Sequence, residues 1–173
     1  MLFPEMMNSG RRRVNASPLL CWDIYSMYYM QLYSRGNDRE FLNHFLTGKT
    51  CDMPYDLDTC LARYDAIVIT SPNQVIEWVS SGFNLMTGYS QHEVLHRKPD
   101  FLQGAKTEAR AKRKVRESLL ANRSAETRLT NYTKSGEPYI CDIAIKPVLG
   151  KNDELLHFMA FEKELKEPVY IEI

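Results

Sequence analysis

Four cysteines and four histidines are the side chains of this chain best able to bind a metal ion or attack an electrophile. No two of the cysteines form a Cys-x-x-Cys pair, and none lies at metal-finger spacing with a histidine. A glycine-rich phosphate loop and a nucleophile elbow are also missing from the sequence. We therefore predict a protein that is not an enzyme, has no metal site and keeps its thiols reduced in the cytoplasm. The cysteines are Cys21, Cys51, Cys60 and Cys141.

Charge gives no overall attraction toward a polyanion, because 22 Lys and Arg residues balance 22 Asp and Glu residues. A basic segment at 106–116 could contact nucleic acid, but acidic residues interrupt it and no DNA-reading motif is visible. We interpret it as a solvated helix face. No stretch reaches the roughly 18 to 20 apolar residues that would span a bilayer. The chain is expected to bind neither nucleic acid nor a membrane.

A polar stretch at 97–103 reads Arg-Lys-Pro-Asp-Phe-Leu-Gln and separates a short helical segment from a long basic one. Lys98, together with Arg116 on the basic segment, could attract an anionic ligand. The alternative is that both are solvated surface charges, as most lysines and arginines are.

The N-terminal part of the chain contains an unusually apolar helical segment. Residues 1–16 are expected to be flexible, and from 19 to 33 only Asp23, Ser26 and Gln31 interrupt the apolar residues. A helix that is apolar nearly all round must be covered on more than one side. Its own sheet and a second subunit could cover it, or it could be buried within one domain. We predict a homodimer whose interface includes Trp22, Tyr25, Tyr29 and Leu32.

Glycines are expected to divide the rest of this extension. Gly36 is predicted to end the apolar helix, and a second short helix is predicted at 38–46, stopped by Gly48. A third is expected at 56–64. Residues 17–64 would then form a helical extension that serves dimerisation or caps the core domain.

The core is predicted to begin at Asp65 and to contain five strands. They are expected at 66–70, 75–79, 125–133, 139–149 and 154–163, with short helices near 83–88 and 91–95 and a longer helix at 106–122. This order indicates an α+β fold in which short helices cover one face of a five-stranded antiparallel sheet. The other face is expected to receive the N-terminal helix, and residues 165–173 are expected to form a tail.

The order of these elements, with Phe101-Leu102-Gln103 after the short helix, resembles the PAS fold and more closely its LOV branch of flavin-binding blue-light sensors. The resemblance covers about residues 65–164, which we take as the domain. It implies a flavin pocket that contains Gln103, with Arg116 pairing with the flavin phosphate. It also implies that Asn131 bonds to the pyrimidine edge of the flavin.

Five positions depart from the LOV pattern. Pro99 stands where the family has its photoreactive cysteine, so the usual covalent photochemistry cannot occur there. Lys98 replaces an asparagine beside the ring, and Asp100 replaces a second phosphate-binding arginine. Cys141 replaces a second asparagine, and Glu162 replaces the glutamine that senses the flavin N5 atom. Because a charged hydrogen bond contributes about 1.5–3 kcal/mol, these losses favour a domain without a resident cofactor.

The combined pattern favours a non-catalytic PAS sensory or signalling module, dimeric, that acts in trans on an unidentified signalling protein. A small-molecule ligand could bias its helix–sheet packing between two arrangements. One alternative is a cysteine-less FMN photoreceptor or redox sensor, with Tyr132, Tyr139 or Trp78 as electron donor. A second is an interaction scaffold with an empty pocket. Haem is disfavoured because the helix predicted at 106–122 contains no histidine.

Overall fold

The computed structural model describes residues 20–166, and for residues 20–25 and 27–33 it describes the backbone alone. The predicted flexible segment 1–16 and the last seven residues, 167–173, lie outside the described residues. The helices are α1 (Leu20–Leu46), α2 (Leu57–Arg63), α3 (Ser81–Thr87), α4 (Gln91–Val94) and α5 (Ala109–Leu120), with a 3₁₀ turn at Pro99–Leu102. The strands are β1 (Thr50–Cys51), β2 (Ala66–Thr70), β3 (Ile76–Val79), β4 (Ala125–Tyr132), β5 (Pro138–Leu149) and β6 (Leu155–Glu164).

The strands form one antiparallel sheet in the order β1-β5-β6-β2-β3, and β4 also pairs with β5. Strand β5 is paired with β6 along one edge. Strands β4 and β1 therefore both pair with the other edge of β5. The predicted α+β fold with a five-stranded antiparallel sheet is confirmed. The two-residue strand β1 is an addition, too short for any alternation of apolar residues to predict it.

Both faces of this sheet are covered, and all five residues of β2 are buried as a result. Ala66 and Val68 point to the face that carries α3, α4 and the 3₁₀ turn, here called the inner face. Ile67 and Ile69 point to the opposite, outer face, which α1 and α2 cover. Strands buried on both sides lose the polar alternation of a half-exposed sheet, which explains the continuous apolar run of β2.

The C-terminal part of α1 packs on the outer face. Leu42 is fully buried there. The Phe41 ring stacks on the Trp78 ring with centroids 4.6 Å apart, and the Phe45 ring meets the His157 ring edge-on at 4.9 Å. The C-terminal part of α1 therefore covers the outer face, and the placement of the segment at 19–33 on that face stays a prediction. The side chains of the predicted dimer contacts Trp22, Tyr25, Tyr29 and Leu32 lie outside the described set.

The prediction that Gly36 ends the first helix is wrong. Helix α1 runs without a break from Leu20 to Leu46, so the separate helix predicted at 38–46 is its final part. Glycine inside a helix costs about 1 kcal/mol relative to alanine. Burial of Leu42 and two hydrogen bonds from Ser81 to Asp38, both beyond the glycine, outweigh that cost. Gly48 does follow the helix end, with a φ of 73°.

Two short helices carry the chain from the sheet edge to the 97–103 segment. Helix α3 ends at Gly88, whose φ of 77° is in the left-handed region that glycine tolerates best. Helix α4 begins with a capping box in which Ser90 and Glu93 satisfy each other's backbone N–H groups. In the part of the chain that the structure describes, no helix is both long and apolar enough to cross a membrane.

Candidate functional site

A cavity of about 630 Å³ lies between α5, the 97–103 segment and the inner face of the sheet. The segment is fixed over this face because the edge strand β3 bonds to it. The Ile76 nitrogen donates to the Arg97 carbonyl oxygen at 2.8 Å, and the His96 nitrogen donates to the Ile76 carbonyl oxygen at 2.9 Å. Pro99 then opens the 3₁₀ turn, and Leu102 is buried against the inner core.

Helix α5 forms the opposite wall of the cavity and is anchored to β4. The Thr130 nitrogen donates to the Glu108 carboxylate at 3.1 Å, and the Thr107 hydroxyl donates to the Thr130 carbonyl oxygen at 2.6 Å. These bonds orient the helix so that Val115 and Leu119 face the cavity. Lys112 and Arg116 line the rim of the cavity but remain exposed, so the basic residues of α5 are solvated, as the sequence predicts.

Apolar side chains form about half of the cavity wall. The volume lies within the range of about 300–1,000 Å³ that is typical of small-molecule sites. Such a wall suits a flat, weakly polar ring system, because burying it removes apolar surface from water. The apolar lining residues are Val68, Leu102, Val115, Leu119, Leu120, Leu129, Ile143, Ile145, Phe158 and Ala160.

Polar side chains also line this cavity, and they include Gln103, Asn131 and Glu162. Gln103 is half-buried, whereas Asn131 and Glu162 are buried. Glu162 is only 5% exposed, and its Oε2 atom has no hydrogen-bond partner among the described residues. Burial raises the pKa of this carboxyl to about 7. A carboxylate without a partner in an apolar site is strongly disfavoured, so the neutral acid is the preferred state there.

The rim of the cavity carries three positive charges, Lys98, Lys112 and Arg116, here called the mouth cations. All three are exposed, and none forms an ion pair or a side-chain hydrogen bond with any residue that the structure describes. Asp100 also lines the rim. The rim thus has a net charge of +2 from these four residues. Sequence reasoning missed Lys112, although its spacing of four residues from Arg116 places both on one side of α5.

Most of the residues predicted for the pocket come together at this cavity: Gln103, Arg116, Asn131, Lys98, Glu162 and Pro99. Cys141 does not line it, contrary to the prediction. Its side chain is fully buried in the inner core, two residues before the lining residue Ile143 on β5. Burial raises the pKa of the Cys141 thiol well above its usual range, so the sulfur behaves as a small apolar group.

A second unpartnered polar group lies beside Glu162. The Tyr139 hydroxyl is buried without a hydrogen-bond partner among the described residues. Burial raises the pKa of this phenol above its usual range, and the neighbouring Glu162 and Cys141 raise it further. The other candidate electron donors lie elsewhere. Trp78 belongs to the outer-face core, and the Tyr132 hydroxyl accepts a hydrogen bond from the Lys106 nitrogen at 2.9 Å.

Among the side chains that the structure describes, no cysteine lines this cavity. Cys51 and Cys60 belong to the outer-face cluster, across the sheet. Burial raises the pKa of the Cys51 thiol to about 12, which makes it a poor nucleophile at neutral pH. Within residues 20–166, no group of three or more His, Cys, Asp or Glu side chains is arranged to hold a metal ion.

The comparisons with known proteins agree with this architecture. The family model described as "PAS domain" matches residues 65–167. Phototropin-2 of Oryza sativa subsp. japonica is 36% identical over 98 residues, which cover 57% of this chain and 11% of the relative. Blue-light-activated histidine kinase 1 of Erythrobacter litoralis is 33% identical over 116 residues, covering 65% of this chain and 32% of the kinase. The chain therefore spans a third or less of either relative.

Solved structures give the same result. A light-oxygen-voltage domain studied with a flavin analogue superposes with a TM-score of 0.59 and is 30% identical. That match covers 66% of this chain and 88% of the solved domain. The similarity thus extends over nearly all of a light-oxygen-voltage domain, although it covers only a small part of the curated relatives.

Proposed function

Because the chain belongs to the PAS domain family, we propose that it is a non-catalytic sensory module whose inner-face cavity binds a small molecule. The observation that carries this proposal is the combination, in one cavity, of a buried carboxyl oxygen without a partner and three unpaired mouth cations. A buried polar group left without a hydrogen bond costs about 1–3 kcal/mol. A scaffold with a permanently empty pocket would gain nothing from keeping such a group.

The ligand that we propose is flavin mononucleotide. Apolar walls suit its ring system, and Gln103, Asn131 and Glu162 offer hydrogen-bonding groups for the polar edge of that ring. The mouth cations suit its phosphate. Three departures from the LOV pattern favour a domain without a cofactor: Asp100 in place of a phosphate-binding arginine, Cys141 in place of an asparagine and Glu162 in place of a glutamine. Lys98 and Lys112 on the same rim offset the negative charge of Asp100, which tips the balance toward flavin binding.

Signalling, in this proposal, involves no bond between the ligand and a thiol. It is supported by the presence of Pro99 in the cavity lining and by the absence of cysteine from that lining among the described residues. A flavin supplies redox and light-absorbing chemistry when bound. The protein side chains then hold the ring and exclude water from it. Their hydrogen bonds to the ring change when the redox or excitation state of the flavin changes.

The output, we propose, leaves the domain through helix α1 and reaches a signalling protein in trans. The helix is tied to the core through Asp38 and through the stacked rings of Phe41 and Trp78. The apolar sequence of its N-terminal half supports a homodimer whose interface includes Trp22, Tyr25, Tyr29 and Leu32. The unpaired thiols of Cys51, Cys60 and Cys141 suit a reducing compartment such as the cytoplasm.

An absorption spectrum of the purified chain, with mass spectrometry of released small molecules, tests the ligand proposal. Structured absorption in the blue and release of flavin mononucleotide are expected. If the protein is colourless, flavin added to it should raise the melting temperature by mass action. Val115→Trp, which fills the cavity, should abolish both effects, and Arg113→Trp on the same helix but outside the lining should not. No bound flavin and no rise in melting temperature would refute the proposal.

Light scattering coupled to size-exclusion chromatography tests the homodimer. The chain should elute as a dimer, and Tyr25→Glu with Tyr29→Glu should convert it to a monomer that still melts cooperatively. Gln31→Glu, which adds a charge to the same helix at a polar position, should remain dimeric. If the unmodified chain is a monomer, the proposal that it signals through a homodimer formed by α1 is refuted.

A further inference from the structure

Glu162 is one of two buried side chains, among the described residues, that have a polar atom without a hydrogen-bond partner. It lies on the inner face of β6, opposite Ala66 on β2 and Ile143 on β5. Its backbone is paired, because the Asp65 nitrogen donates to its carbonyl oxygen at 2.9 Å. Its side chain reaches the cavity with Oε2 unpartnered. The carboxyl therefore has hydrogen-bonding capacity that only a molecule inside the cavity can use.

The charged and titratable groups around this carboxyl come from three elements. Strand β5 contributes Tyr139 and Cys141, helix α5 contributes Lys112 and Arg116, and the 97–103 segment contributes Lys98 and Asp100. None of these side chains forms an ion pair with Glu162. The mouth cations are exposed at the rim, so water screens their charge from the interior. Desolvation is left as the dominant influence, and it favours the protonated acid.

We propose that Glu162 recognises the ligand as a neutral carboxyl group, donating its O–H to a hydrogen-bond acceptor on the buried edge of the ligand. If the carboxyl of the free protein is ionised, ligand binding is coupled to the uptake of one proton from the solvent. That proton bonds to a carboxyl oxygen of Glu162, and no other covalent bond is made or broken. The inference rests on the proposed function, since it assigns a role in binding that ligand.

The alternative states of this side chain predict different behaviour. An ionised carboxyl has no hydrogen to donate, so it cannot form a hydrogen bond with an acceptor on the ligand. The lone pairs of the two groups would instead repel each other. A glutamine at the same position would donate through its N–H at every pH. Proton-linked binding therefore predicts that affinity falls by about tenfold for each pH unit above the pKa of the carboxyl.

Riboflavin is the probe for the test, because it lacks the phosphate, whose own ionisation near pH 6 would overlap the titration. Its affinity is measured by fluorescence quenching from about pH 6 to about pH 9, the range over which the linkage should develop. The unmodified chain should lose affinity across this range, and Glu162→Gln should bind with a flat profile. Glu117→Gln, which removes an exposed carboxyl on α5 outside the cavity, should keep the slope of the unmodified chain.

A flat profile for the unmodified chain, or an equal slope in Glu162→Gln, would overturn the role of Glu162 while leaving flavin binding intact. Absence of riboflavin binding at every pH, with neither flavin stabilising the protein, would overturn the proposed function and this inference together. Infrared difference spectra between the ligand-free unmodified chain and Glu162→Gln give a second readout. The carbonyl stretch of a protonated carboxyl should be present at about pH 6 and vanish at about pH 9, and its absence at both would refute the inference.

Discussion

Asp38 on α1 accepts two hydrogen bonds from Ser81 at the start of α3. Its Oδ2 atom lies 2.9 Å from the Ser81 nitrogen and 2.7 Å from the Ser81 hydroxyl oxygen. The N-cap residue of α3, Ser80, makes no side-chain capping bond of its own. A residue more than forty positions earlier in the chain therefore caps this helix. The bond connects the helix on the outer face to a helix that packs into the inner core.

Removing this long-range cap should destabilise the fold. We expect Asp38→Ala to lower the free energy of unfolding by about 1–2 kcal/mol, because the α3 donor loses its acceptor. Asp58→Ala, which removes an exposed ion pair with Arg39 from the neighbouring helix, should cost at most about 1 kcal/mol. Urea denaturation of the two variants measures the difference. Equal losses would mean that Asp38 contributes no more than a surface charge.

Two glycines in helices should respond to alanine in opposite ways. A Cβ atom on Gly82 would overlap the Asp65 carbonyl oxygen, so α3 or the start of β2 would have to move. A Cβ atom on Gly36 would meet nothing within 4 Å. We expect Gly82→Ala to cost more than about 3 kcal/mol and Gly36→Ala to stabilise the protein by about 0.5–1 kcal/mol. Thermal unfolding checks both, and a loss of stability in Gly36→Ala would contradict the continuous helix.

The strands could be predicted from local information, whereas the continuity of α1 could not. The sequence predicts a strand at 66–70, and β2 has those bounds, because β-branched residues followed by a Ser-Pro-Asn turn are local signals. Whether Gly36 ends a helix depends instead on Leu42 and Asp38 finding partners on distant elements. Such tertiary contacts outweigh the cost of about 1 kcal/mol that glycine imposes inside a helix. They join residues far apart in the chain, so a short stretch of sequence cannot reveal them.

The candidate site divides in a similar way. Gln103, Arg116 and Asn131 could be predicted because a motif fixes their order along the chain, and the cavity brings them together. Lys112 was missed, although it lies one helical turn before Arg116 and therefore on the same side of α5. The resemblance implies a place in the pocket for Cys141, where the family has an asparagine, but its side chain is buried in the inner core and does not line the cavity.

Glu162 should make the stability of the fold depend on pH. Burial raises its pKa above the ordinary value of 4.5 to about 7, so between these values the folded chain binds a proton that the unfolded chain releases. Stability is therefore fully present below about pH 4.5 and falls as the pH rises through about 7. The loss should amount to about 3 kcal/mol.

Urea denaturation at about pH 5 and about pH 8, which together span most of the window where the linkage acts, checks this dependence. Glu162→Gln should show a smaller loss of stability between the two conditions, because an amide does not titrate. Glu117→Gln removes an equal but exposed charge and should behave like the unmodified chain. The same pH dependence in all three proteins would show that Glu162 is not a buried acid.

The mouth cations should distinguish flavin mononucleotide from riboflavin. We expect Arg116→Gln to weaken binding of flavin mononucleotide by about 10- to 100-fold, since a charge-assisted hydrogen bond contributes about 1.5–3 kcal/mol. Lys112→Gln should weaken it less, because lysine acts as a screened point charge. Riboflavin affinity should change by less than about twofold in both variants, because it has no phosphate to contact.

Arg113→Gln is the control for these two variants, because Arg113 is exposed on the same helix but does not line the cavity. It should leave both affinities unchanged. Titrations by fluorescence at low and high salt provide the measurement, and the losses should shrink as salt screens the rim. Equal weakening of the two flavins in Arg116→Gln would mean that this arginine positions α5 and does not contact the phosphate.

Asp100 supplies the opposite test, because it is the acidic residue among the cations of the rim. If the phosphate of the ligand lies there, Asp100→Asn removes a repulsion and should strengthen binding of flavin mononucleotide by about two- to fivefold. Riboflavin affinity should not change. Asp153→Asn, in a turn away from the cavity, makes the same change in net charge and serves as the control. A gain in both variants would reflect net charge alone, whereas a gain confined to Asp100→Asn would locate the phosphate at the rim.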